Sequence, residues 1–152
     1  MKAALHRVVV AVRDLDSAVP RYEKLFGARF VRTGAAVADA TGVAVAADPD
    51  SGFELACPLP GAATPIAADL ARWLSEHGEG IYGVGVNMGD DFDDAVQTAR
   101  DAGLSFAAEP FSFSQEQIDH EFGGRYTRYE EAIVDRRHLG FAVAYNAIVP
   151  KS

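Results

Sequence analysis

Cysteine and histidine, the side chains that most readily serve as nucleophiles and bases near neutral pH, are sparse in this sequence. The single cysteine, Cys57, has no disulfide partner and excludes a cysteine metal cluster. The four histidines are scattered: His6 ahead of a valine run, His77 ending a helical pattern, His120 among Phe111, Phe113 and Phe122, and His138 in DRRHLG. His77 suits a helix C-terminus, where a cation is favoured, and His138 reads as a turn residue. His120 suits either a lid over a flat apolar ligand or a solvated loop. In RYTRYEEAIVD, residues 125–135, alternation puts either Tyr126, Arg128 and Glu130 or Thr127, Tyr129 and Glu131 on one face. A tyrosine there would donate a hydrogen bond to a ligand. GEGIYGVG (78–85) is not a phosphate loop, since its glycines enter a strand rather than open a helix.

The elements that hold these residues follow from composition and pattern. A length of 152 residues, 49% of them apolar, suits one compact domain or two half-domains sharing a core. The net charge of −8 argues against nucleic acid, whose phosphates would repel it. The opening MKAALHRVVVAV is broken by His6 and Arg7, and no run approaches the roughly 18 apolar residues that span a bilayer. A cytoplasmic protein without nucleic-acid or membrane partners is the expectation.

LHRVVVAV (5–12) reads as a buried strand. Asp14 and Asp16 offer N-caps, and Leu15, Ala18, Val19, Tyr22, Leu25 and Phe26 share one helical face closed by Gly27. Pro20 is tolerable near the first turn. Strands are expected at 28–33, 40–47 and 52–57, with DPDSG as a turn. PLPGAATP is a linker, and PIAADLARWLSEHG a helix in which Trp73 packs toward the sheet. A second strand (80–88) and helix (92–102) follow, then strands near 104–108, 125–134 and 138–146, with a long loop at 109–124.

This second half repeats the first. Val8 superimposes on Val84, Ala18-Val19 on Ala95-Val96, and Phe30 on Phe106. A single βαβββ unit leaves a sheet that cannot bury both faces. The repeat therefore predicts an α+β fold of two βαβββ modules, residues 4–58 and 79–148 with a linker helix within 59–78, forming a curved mixed sheet around a cleft.

RDLDSAVPRYEKLFG, FELACPLP and above all PIAADLARWLSEHGEGIYGVGV resemble the vicinal oxygen chelate superfamily, the glyoxalase, bleomycin-resistance and extradiol-dioxygenase group. Within it, the resemblance is nearest to the methylmalonyl-CoA epimerase branch. It covers residues 5–108 well and 125–146 loosely. It implies a divalent metal held by the first and last strands of each module. Carried over, the four ligand positions are Arg7, Glu54, Gly83 and Ala144, so only Glu54 remains a competent ligand. His6, one place early, points to the opposite face of its strand. The expectation is no metal and no cofactor.

On that pattern Arg7, Val9 and Ala11 share the cup face with Glu54 and Ala56, with Gly83, Gly85 and Asn87, and with Gly140, Ala142 and Ala144. Such small residues leave room for a ligand. Arg7 would hold a carbonyl, enolate or carboxylate, and Glu54 would act as general base. Val9, Ala56, Gly83, Gly85, Asn87, His120, Tyr126, Tyr129 and Ala144 would contact the ligand. The resemblance thus implies a metal-independent isomerase, epimerase or lyase acting beside a carbonyl of a small, largely apolar oxygenated molecule. The alternative is a binding protein that sequesters a drug or metabolite. A third reading, in which other residues supply the ligands of a metalloenzyme, ranks below both. A homodimer is expected by analogy with the superfamily.

Overall fold

The structure is a computed structural model that describes residues 2–152. Its α+β chain divides into two units, Arg7–Tyr82, and Gly83–Ser152 joined by the residues up to His6. The first unit carries β1 (Ala4–Ala11) from Arg7 onward, α1 (Leu15–Phe26), β2 (Val31–Arg32), α2 (Ala35–Thr41), β3 (Val43–Asp48), β4 (Phe53–Pro58) and α3 (Pro65–His77). The second carries β5 (Gly80–Asn87) from Gly83 onward, α4 (Phe92–Asp101), β6 (Phe106–Ser112), α5 (Gln115–Phe122), β7 (Tyr126–Val134), α6 (Arg136–Leu139) and β8 (Ala142–Pro150). Strand order is β2-β3-β4-β1 in the first unit and β5-β8-β7-β6 in the second. The pairs β1–β4 and β5–β8 are parallel, and the others within each unit antiparallel.

The internal repeat is real and longer than the sequence pattern suggests. Each unit places a second helix, α2 or α5, between its second and third strands. The expected loop at 109–124 is thus the end of β6 followed by α5. The Ser114 side chain and Gln117 form a reciprocal capping box at the start of α5, and Gly123 closes it in the left-handed region. The strand expected from residue 40 begins instead at Val43, because Ala35–Thr41 is helical and ends at Gly42. With one buried apolar anchor, Val37, seven residues show no helical period to read. The last strand is also corrected. Asp135 caps the short α6, Gly140 ends it, and β8 runs from Ala142 to Pro150.

The helix α1 has the caps expected of it, with Asp14 oxygens accepting from the amides of Asp16 and Ser17. Pro20 lies inside this helix rather than in its first turn. It is exposed, so water can serve the carbonyl that a proline leaves without an amide partner. Inward, Leu15, Ala18, Val19 and Tyr22 pack on Val8, Val10, Val12, Phe53 and Leu55. In the second unit Phe92, Ala95 and Val96 of α4 pack on Ala132 and Ala147. Each large apolar side chain so buried contributes about 1.5–3 kcal/mol.

The turn between β3 and β4 is stapled by Asp48, which accepts from the amides of Arg29 and Asp50. Burial works to raise its pKa, but hydrogen bonds from Ser51 and these amides outweigh it and hold the carboxyl below its usual range. At the start of α3, the Thr64 hydroxyl accepts from the Ala67 amide and donates to the Thr41 carbonyl at 2.6 Å. Thr64→Ala removes both contacts and is expected to cost about 1–2 kcal/mol, seen as a lower urea midpoint with an unchanged slope. Trp73 meets Tyr82 edge-on and stacks on His77, as a linker helix docked on its strand requires. Among the described residues no helix is long and apolar enough to cross a membrane.

Candidate functional site

In the first unit the parallel register of β1 and β4 pairs Val9 with Glu54 and Ala11 with Ala56. Side chains alternate across a strand, so Arg7, Val9 and Ala11 share a face with Glu54 and Ala56, while Val8, Val10, Phe53 and Leu55 face α1. That is the division expected from the alternation. Arg7 Nε lies 2.6 Å from Glu54 Oε2, and the two side chains are only 7% and 13% exposed. The contact is an ion pair between two largely buried charges. The β3 neighbours on this face, Ala47 and Val45, are small or apolar. The result is a paired cation and anion on a largely apolar strand face.

The second unit resolves the ambiguity of residues 125–131. Two residues of β7 oppose one of β8 between Tyr126 and Arg128, a bulge that turns both Tyr126 and Tyr129 toward α5. Beyond the bulge Tyr129, Glu131 and Ile133 share a face with Ala144, Asn146 and Ile148, and Ala132 faces α4. Here the structure assembles a group the sequence reading did not. Glu131 Oε2 accepts from Asn146 Nδ2 at 2.7 Å and from the Tyr129 hydroxyl at 3.2 Å. Glu131 is 8% exposed and Asn146 fully buried. Phe122 of α5 stacks on Tyr129, with ring centroids 4.3 Å apart. Glu131 stood in the sequence as one of two alternatives. Asn146 carried a fainter signal, the one amide in the apolar run FAVAYNAIV.

The remaining residues fall as follows. Gly83 and Gly85 pair with Ala142 and Ala144, giving that face a floor with nothing larger than a methyl group. Asn87 clamps β8, donating to the Ile148 carbonyl and accepting from the amides of Ile148 and Gly89. Tyr126 is buried against Phe122, and His120 is exposed on α5. Gly140 ends α6 and is not a strand residue. His138 Nε2 accepts from the Ser105 amide at 3.0 Å. Burial, then the carboxylates of Asp14 and Glu79, push the Cys57 thiol above its ordinary pKa, which makes it a poor nucleophile.

The four ligand positions implied by the resemblance do not fit a divalent cation. The Glu54 carboxylate already lies against a guanidinium. A Cβ on Gly83 would fall 2.3 Å from the Ala142 carbonyl oxygen, which leaves no room for a ligating side chain. Ala144 has no donor atom. Among the described residues no three His, Cys, Asp or Glu side chains gather as a metal-holding group.

The sequence model of the Glyoxalase/Bleomycin resistance protein/Dioxygenase superfamily matches residues 6–122. No curated protein matches the sequence. Among solved structures, methylmalonyl-CoA epimerase from Mycobacterium tuberculosis is 22% identical, with a TM-score of 0.65 over 97% of this chain and 88% of that one. A variant of the Streptomyces coelicolor methylmalonyl-CoA epimerase, in complex with 2-nitronate-propionyl-CoA, is 19% identical, with a TM-score of 0.67 over 98% of each chain. A hypothetical protein from Bacillus halodurans C-125 is 16% identical, with a TM-score of 0.65 over 100% of this chain and 97% of that one. At these identities the likeness shows the fold.

Proposed function

Because the chain belongs to the Glyoxalase/Bleomycin resistance protein/Dioxygenase superfamily, we propose that it is an isomerase, epimerase or lyase working without a metal ion. It acts beside a carbonyl of a small, largely apolar oxygenated molecule. The observation that carries this reading is the buried Arg7–Glu54 pair, a fixed cation and a carboxylate at two positions where the superfamily places metal ligands.

In the resting protein the two charges neutralise each other. When a carbonyl compound binds, the Arg7 guanidinium turns to its oxygen, which releases Glu54. Glu54 then takes the proton from the adjacent carbon, and the C–H electron pair moves onto the oxygen as an enolate. Arg7, always charged, stabilises that oxyanion where little water competes. Delivery of a proton to the other face of that carbon, or to a neighbouring carbon of the enolate system, completes an isomerisation, and the net atoms are unchanged.

The test is proton exchange in D2O, followed by NMR on methylmalonyl-CoA and on acetoin. Exchange by the wild type, reduced at least about 100-fold in Glu54→Gln with substrate affinity retained, is the expected result. Absence of exchange, with ligand affinity unmoved by Glu54→Gln, would overturn catalysis in favour of sequestration.

A further inference from the structure

We infer that Ser105 is a nucleophile that accepts an acyl group from activated esters, with His138 as the base that takes its proton. The pair lies within the second unit and uses none of the residues assigned above.

Two segments distant in sequence make this pair. Ser105 directly precedes β6 and His138 belongs to α6, and the antiparallel pairing of Phe106 with Val134 brings their strands side by side. The Asp135 amide donates to the Ser105 carbonyl at 2.9 Å, and the His138 amide to the Asp135 carbonyl at 3.1 Å. This tight turn folds the imidazole back over the serine. His138 Nε2 receives the Ser105 amide at 3.0 Å and lies 2.8 Å from the Ser105 hydroxyl oxygen.

The amide identifies the tautomer. An N–H donates only to a ring nitrogen with a lone pair, so Nε2 is unprotonated and Nδ1 carries the hydrogen. The hydroxyl beside that same lone pair is therefore a donor, its proton aimed at a base. An exposed backbone amide is satisfied by one acceptor, which solvent provides, and the hydroxyl contact adds nothing to that cap. It is the contact that activates a serine. Both residues are exposed, so an acyl donor reaches the oxygen. Asp135, which holds the turn, stays ionised, because the hydrogen bond from Arg137 lowers its pKa to about 2. That negative charge acts on His138 and offsets the positive charge the ring gains with the serine proton.

The step balances. Ser105 Oγ attacks the ester carbonyl carbon as Nε2 takes the hydroxyl proton. Once protonated, Nε2 no longer accepts from the Ser105 amide, and that N–H is released toward the oxyanion forming on the acyl carbon. The bond to the leaving oxygen then breaks, the imidazolium returns the proton to it, and the acyl group remains on Ser105. Nothing is oxidised or reduced.

The probe is p-nitrophenyl acetate, with the acetylated residue located by peptide mass spectrometry. The wild type is expected to carry an acetyl group on Ser105. Ser112 and Ser114, exposed serines nearby in sequence, are controls within the same protein and should stay unlabelled. His138→Gln keeps an oxygen that accepts from the Ser105 amide but has no basic nitrogen. Labelling of Ser105 should slow at least about 100-fold in that variant, with circular dichroism and thermal midpoint unchanged. Labelling at the wild-type rate in His138→Gln overturns the assignment of the base. Acetyl groups confined to lysines, or spread equally over the three serines of the wild type, overturn the site itself.

Discussion

Arg7→Met is expected to lower the unfolding free energy by about 3–5 kcal/mol, whereas Arg7→Met combined with Glu54→Leu recovers most or all of the loss. The reasoning is electrostatic. Both side chains are largely out of water, Arg7 at 7% and Glu54 at 13% exposed. Removing the cation alone leaves a carboxylate among Val9, Ala47 and Ala56 with its main counter-charge gone. Removing both charges replaces an ion pair with apolar volume, and the cost of desolvating two ions disappears with their attraction. Urea unfolding of the two single variants and the double variant forms a double-mutant cycle that measures this coupling. A double variant no more stable than Arg7→Met would show that the pair is not a closed electrostatic unit. The double variant has a second use, as a folded protein without the charges assigned to catalysis. It should bind apolar ligands and exchange no protons.

The second large effect is steric. Gly83→Ala is expected to cost about 3 kcal/mol, the upper end of the ordinary overpacking range. A Cβ built there meets the Ala142 carbonyl oxygen at 2.3 Å and the Ala142 Cβ at 2.8 Å. The nearer atom is backbone in a paired strand, and it cannot yield without disturbing the β5–β8 ladder. Ala142→Gly should therefore fail to rescue the variant, since it removes the methyl and leaves the carbonyl. Gly80→Ala is the control on the same strand. Its Cβ would meet only the ring edge of Trp73, at 3.4 Å, and thermal unfolding should place it close to the wild type. A Gly83→Ala protein as stable as that control would mean that β5 and β8 separate more easily than their register implies.

Much of the fold was legible in the sequence because its main signals are periodic. Alternation separated Val8 and Val10 from Arg7 and Val9, and the packing of α1 follows that division. Caps were readable for the same local reason, with Asp14 and Gly27 bounding α1 as expected. What escaped was short or aperiodic. The helix α2 is an alanine-rich segment with one buried apolar anchor, and α5 lies in a polar stretch where Ile118 is the one fully apolar buried residue. Neither has enough apolar spacing to declare a helix, and both gain their stability from what they cover. For α5 that is Tyr126, Tyr129 and Ile148.

The candidate site divides in the same way. Which residues within β1, and which within β4, share a face is a matter of parity along each strand, and sequence order alone determined it; that Arg7 meets Glu54 follows from the register between the two strands. The bulge that turns Tyr126 and Tyr129 to the same side breaks that parity, and an extra residue in a strand has no signature until a partner strand is present to count against. The meeting of Glu131 with Asn146 likewise depends on the register of two antiparallel strands, which side-chain packing sets over the whole sheet. The chain's own order therefore specified its duplicated elements and the alternation of faces along each strand. Only the tertiary structure decided which polar groups were buried together, because burial and register arise from contacts between segments far apart in the chain.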